Sequence, residues 1–187
     1  MIVVTDEDEP LPSACPDCQG SLRRWGFART RRIRLADSSL RRLQPRRARC
    51  RTCKTTHVLL PAWCLPRRAA GVEVIGAALL AHAHGAGAQQ IASDLDLPHG
   101  TVRGWLRRAE ANSEFLRRHA LQHLVALDPH FASFAPRGNR LAEALDTLAA
   151  ATHTSARVLA LPRMPSPWKL AVVLTGGLLL SVNVPEY

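Results

Sequence analysis

Two Cys-x-x-Cys pairs, Cys15-Pro16-Asp17-Cys18 and Cys50-Arg51-Thr52-Cys53, constrain this chain more than any other feature. A two-residue gap lets both thiolates of a pair reach one metal ion from a tight turn. Two pairs then fill the four positions of a tetrahedral structural site. Pro16 and Gly20 suit such a turn, because proline presets φ and glycine tolerates positive φ. The spacing predicts one Zn2+ held by Cys15, Cys18, Cys50 and Cys53, although the 31 residues between the pairs are more than compact ribbons use.

Disulfides and a thioredoxin-like redox pair are the competing readings. Disulfides need an oxidising compartment, and Met1 to Pro10 is acidic with no apolar stretch of the secretory kind, so the expected location is cytoplasmic. A redox motif accounts for one pair and leaves the other unexplained. Cys64, inside Pro61-Ala62-Trp63-Cys64-Leu65-Pro66, reads as a packed small hydrophobe. His57 is a possible substitute ligand, but two complete pairs leave it no vacancy.

The residues between and around the pairs are strongly basic. From Arg23 to Lys54 stand twelve arginines and one lysine against a single acid, Asp37, a surplus larger than the +10 of the whole chain. With a pI near 10.8, that balance implies a polyanionic partner, of which nucleic acid is the commonest. Arginine supplies 23 of the 25 basic residues. Its planar fork favours phosphate and guanine, yet a GC-rich genome produces the same bias. Ile33 and Leu35 alternate with Arg32 and Arg34, the period of a half-buried strand. Asp37-Ser38-Ser39 supplies a turn, Arg41 to Arg49 reads as a returning strand with an edge or bulge at Pro45, and Thr56 to Leu60 reads as a third strand. A charge run is ordinarily a solvated face. On a metal-stapled sheet that also carries Trp25 and Phe27, contact with a nucleic-acid backbone is expected, with Arg29, Arg31, Arg32, Arg34, Arg46 and Arg47 as candidates.

After Gly71 the apolar period changes to that of helices. Val72, Ile75, Ala78, Leu79 and His82 form one stripe, ended by Gly85 and Gly87. Gln89 to Leu97 reads as a short helix, Pro98-His99-Gly100 as a turn, and Thr101 to Arg108 as a second helix. Ile91, Leu95, Leu97, Val102 and Trp105 take the buried positions of a helix-turn-helix. The second helix would enter the major groove, leaving His99, Gly100, Thr101, Arg103, Arg107 and Arg108 as candidate DNA contacts. The turn position usually held by glycine is Asp96 here, a residue that tolerates the left-handed region better than most. A plain three-helix core without a DNA role is the alternative.

These stretches together resemble transposon-associated zinc-ribbon and helix-turn-helix proteins of high-GC bacteria, and are similar to the N-terminal DNA-binding region of ISL3-type transposases. The resemblance spans about residues 14 to 112 and is most specific in the block from Cys50 to Arg68. It implies a DNA-binding protein encoded with or near a mobile element, with a transposase as a possible partner. The chain is short for the usual transposase catalytic domain.

The expected fold class is α+β: a small zinc-ribbon-like β module, then an all-α helix-turn-helix domain and C-terminal helices. The expected division is an acidic disordered tail over 1–13, the metal module over 14–66, the helix-turn-helix over 67–112 and a helical region over 113–187. Leu170 to Val184 is apolar but too short for a bilayer span of about 20 residues, so a buried helix or self-association through the C-terminal helices is expected, with no membrane role. His119 and His123 are four apart without the glutamate of a metalloprotease signature. Beyond residue 112 the acids are Glu114, Asp128, Glu143, Asp146 and Glu186, too sparse for the carboxylates that two-metal DNA cleavage needs, so no enzyme activity is expected. The leading expectation is a zinc-dependent protein that binds double-stranded DNA. A transposase's recognition part and an RNA-binding or scaffolding zinc module are the alternatives.

Overall fold

The structure, a computed structural model, describes residues 10–131 and 138–182 in full and the backbone of residues 2–4. It is an α+β arrangement: among the described residues, six short strands are followed by six helices. Strands β1 (Ile2–Val4), β2 (Leu22–Phe27), β5 (Arg46–Cys50) and β6 (Thr56–Leu60) form one sheet in the order β1-β6-β5-β2, and β3 (Arg31–Arg34) with β4 (Leu40–Leu43) forms a separate hairpin. The expected strand over Arg41 to Arg49 is therefore two strands. Gln44 and Pro45 interrupt it, and the chain leaves one sheet for the other there, since proline donates no ladder hydrogen bond. The hairpin turn is the Asp37-Ser38-Ser39 turn, in which the Asp37 carboxylate accepts from the Ser39 amide and hydroxyl and Ser38 takes φ +64°.

The N-terminal residues expected to form only a tail contribute a strand. Ile2, Val3 and Val4 pair in parallel with Val58, Leu59 and Leu60 of β6. The acidic run from Asp6 to Glu9 lies outside the described residues.

The proline-bounded segment after β6 is woven into the hairpin. The Arg34 amide donates to Ala69 O at 2.8 Å and the Gly71 amide donates to Arg34 O at 2.8 Å. Cys64 is fully buried with Ile33, Leu43 and Leu60 in a small core of its own, and the Arg41 guanidinium stacks on the Trp63 ring at 4.6 Å.

The helices are α1 (Val72–Ala83), α2 (Ala88–Asp94), α3 (His99–Ala111), α4 (Ser113–Leu127), α5 (Arg140–Val158) and α6 (Pro167–Leu174). They share one core, in which Leu79, Ile91, Trp105, Leu116, Leu148 and Val172 are all buried together. The expected boundary at residue 112 is thus no break in packing. Asn112 is the hinge between α3 and α4, and its side-chain amide donates to Leu179 O at 3.0 Å and Ser181 O at 2.9 Å, fastening the C-terminal segment to that hinge. Leu179 and Leu180 complete the core, so much of the apolar C-terminal stretch is consumed inside the chain. Gly76 of α1 lies against the indole of Trp168, where a Cβ would come 2.5 Å from Trp168 Cγ. Among the described residues no helix is long and apolar enough to cross a membrane.

Candidate metal centre and basic face

Each cysteine pair sits on a knuckle, and the two knuckles repeat one another. In the first, the Cys15 amide donates to Gly20 O at 2.8 Å and Gln19 takes φ +60°. In the second, the Cys50 amide donates to Thr55 O at 2.9 Å and Lys54 takes φ +64°. The same offsets from the first cysteine recur in both, so each loop turns its two thiols toward a common point. Cys15 Sγ lies 3.7 Å from Cys53 Sγ, and Cys18 Sγ lies 3.5 Å from Cys50 Sγ. All four sulfurs are within 4.8 Å of one another. Metal–sulfur bonds of about 2.3 Å in a tetrahedron set the sulfurs roughly 3.8 Å apart, so the cluster can hold one metal ion.

The protonation chemistry of the cluster points the same way. Burial pushes the Cys15 thiol up to about 11. Hydrogen bonds from the Thr55 hydroxyl and amide draw Cys53 down to about 6. Cys18 is raised despite a backbone bond at Gly20, by the Cys53 and Cys50 thiols beside it, whereas Cys50 is lowered despite its burial, by the Cys53 and Thr52 amides. Sulfurs this close cannot all ionise alone, and a divalent cation held among them would supply the compensating charge.

His57, set aside on sequence grounds, is part of this centre. It is fully buried opposite Ala48 on the sheet, and its Nε2 lies 3.3 Å from Cys15 Sγ. Its Nδ1 is buried without a hydrogen-bond partner. That geometry lets the Nε2 proton bond to the Cys15 sulfur, the kind of outer-shell contact that fixes a ligand's orientation. The sequence signal was the histidine four residues after Cys53, at alternation with the buried Leu59.

Gly20 is fixed by close approach. A Cβ there would come 2.8 Å from Thr52 Cβ and 3.2 Å from Cys50 Sγ. Gly20→Ala is therefore expected to displace the second knuckle and weaken metal binding by about tenfold or more, the scale of losses from disturbed outer-shell contacts, in a competitive chelator titration.

The arginines proposed from the sequence divide into distinct groups. Arg29 and Arg32 are exposed on the β module. Arg32 stands directly opposite Arg42 in the hairpin, and Arg23 opposite Arg49 across β2 and β5. Like charges directly opposite destabilise a ladder, so these pairs favour a bound anion. Arg23 and Arg49 each stack at 4.6 Å on Trp25, which with Phe27 is exposed on edge strand β2. Arg46 and Arg47 are half-buried on β5, and Arg31 is half-buried with its Nε unpartnered.

Arg34 is turned to another task. Its Nη1 donates to Asp96 O at 2.6 Å, and its Nη2 lies 3.4 Å from Asp96 Oδ2 and 3.2 Å from Ser38 Oγ. It therefore joins the hairpin to the turn between α2 and α3. That turn is left-handed at Asp96, φ +48°, and is closed by the Leu97 amide donating to Ala92 O at 2.9 Å. Helix α3 begins at His99, two residues earlier than the sequence predicted: Pro98 is its N-cap, and the Pro98 carbonyl accepts from the Thr101 amide at 2.9 Å and the Val102 amide at 3.2 Å. Ile91, Val102 and Trp105 are buried, and Leu95 and Leu97 are half-buried. His99, Gly100, Thr101, Arg103 and Arg107 lie exposed on α3. Arg108 does not join them: it is half-buried, donates from Nη1 to Gly104 O at 2.8 Å, and lines a cleft under the C-terminal segment.

The model of a domain of unknown function, DUF6431, matches residues 15–105, the span from the first cysteine to the buried Trp105 of α3. No curated protein and no solved structure matches the chain.

Proposed function

We propose that the chain is a zinc-dependent double-stranded-DNA-binding protein, an accessory or regulatory factor of a mobile element. The observation that carries this reading is the Arg34–Asp96 junction. Arg32, Arg34 and Arg42 share one face of the hairpin, and Arg34 reaches the α2–α3 turn from it. A basic strand pair is thereby held beside the entrance of the helix that carries Thr101, Arg103 and Arg107. Zinc is the metal that four thiolates at tetrahedral spacing suit best. In this reading the hairpin arginines grip phosphates and set the register, and Thr101 and Arg103 read base edges in the major groove.

The test is anisotropy binding to random and selected duplexes. Arg32→Ala/Arg42→Ala is expected to weaken binding to every sequence alike. Arg103→Ala is expected to cost about 1–3 kcal/mol at the preferred sequence and little elsewhere. If both variants act alike on all sequences, α3 is not a reading helix.

Exposed Trp25 and Phe27 among arginines favour a second reading, an RNA-binding zinc module, since aromatic platforms stack unpaired bases. Competition between duplex DNA and structured RNA at equal salt separates the two.

A further inference from the structure

We propose a phosphate site in the cleft between residues 65–68, the C-terminal half of α3 and residues 177–182, with Arg67, Arg68 and Arg108 as its ligands. The cleft measures about 380 Å³, and among the described residues no acidic side chain lines it. Arg67, Arg68 and Arg108 thus line one cavity with no counter-charge among its described residues. The Arg68 guanidinium is held below its ordinary range by burial and by the charges of Arg108 and Arg67. Gathering like charges around a partly desolvated cleft, with Arg68 and Arg108 half-buried, is costly unless an anion completes the set.

The hydrogen bonds leave the arginines incomplete in the same sense. Arg68 donates from Nη2 to Leu180 O at 2.9 Å and Arg108 from Nη1 to Gly104 O at 2.8 Å, which orients both forks. The Nε of each remains buried without a partner. Arg67 holds φ +56°, a left-handed conformation that non-glycine residues adopt at a cost. Three forks offer more donors than a carboxylate can accept, whereas a phosphate group presents enough oxygens for all. Leu65, Pro66, Leu178, Leu180 and Val182 give the lining an apolar side that suits the carbon skeleton a phosphate carries. The site stands apart from the exposed face of α3, and the proposal does not depend on the DNA reading.

The phosphate can belong to a nucleic-acid backbone or to a free phosphate ester. Calorimetric titration of the full chain with inorganic phosphate, at ionic strength held constant with chloride, tests the site itself. Wild type is expected to bind phosphate, and Arg108→Gln and Arg67→Gln each to bind about tenfold more weakly. Arg67→Gln changes an exposed side chain, so it keeps the test valid if Arg108→Gln disturbs folding. Arg163→Gln, exposed between α5 and α6 and outside the cleft lining, is expected to bind as wild type does. Absence of phosphate binding, or equal losses in Arg163→Gln and Arg108→Gln, overturns the proposal. Displacement of phosphate by duplex DNA assigns the site to a backbone phosphodiester, and independent binding of the two assigns it to a free ester.

Discussion

Replacing Cys50 and Cys53 together by serine is expected to release the metal and to unfold the β module while the helices persist. Structural zinc binding contributes about 10–16 kcal/mol in small zinc modules, as much as the entire stability of an ordinary domain. The core of the β module consists of little more than Ile33, Leu43, Leu60 and Cys64, too little to replace that contribution. The helical core is a separate cluster and does not include the cysteine pairs. Far-UV circular dichroism should therefore retain the helical signal, while trypsin cuts freely among the arginines between Arg23 and Arg51. Metal analysis should give one ion per wild-type chain and none in the variant. A variant that is metal-free yet as resistant to trypsin as wild type would show that the sheet folds without its clamp.

The second large effect concerns salt. With Arg32 and Arg42 exposed on the hairpin, Arg23, Arg24 and Arg29 on the same module and Arg107 on α3, the proposed complex engages about six phosphates or more. Duplex affinity is then expected to fall by about 10³ or more between 50 and 200 mM salt. The slope of log affinity against log salt should be near −0.9 for each phosphate neutralised, and Arg32→Ala/Arg42→Ala should flatten it by about two units. A slope near zero removes polyanion binding as the use of this surface.

The α+β class was legible because its signals are local. Two Cys-x-x-Cys pairs, the alternation at Ile33, and the stripe from Val72 through Leu79 are patterns within a few residues of one another. The α2–α3 unit was legible for the same reason, down to Asp96 as the odd residue of its turn. The parallel pairing of Ile2–Val4 with β6 joins segments more than fifty residues apart, and no short pattern encodes that. The fates of individual arginines were equally hidden. Arg32 and Arg34 look alike in sequence, yet one is exposed and the other is bonded to Asp96, because the latter depends on where the turn after α2 is brought. Arg108 read as a continuation of Arg107, but one residue along a helix is a rotation of about 100°, which carries it into the cleft. His57 was passed over because counting ligands hides the residue that steadies one of them.

The Arg34–Asp96 junction also sets the mechanics of the molecule. Two binding elements joined by a flexible tether behave as beads on a string, and the second contact gains only the effective concentration that the tether allows. Here the Arg34 fork ties the β3–β4 hairpin to the α2–α3 turn, and the backbone bonds of Ala69 and Gly71 tie it to the chain entering α1. The molecule is a gauge of fixed width: for any ligand long enough to touch both elements, the freedom lost in aligning them was given up when the chain folded.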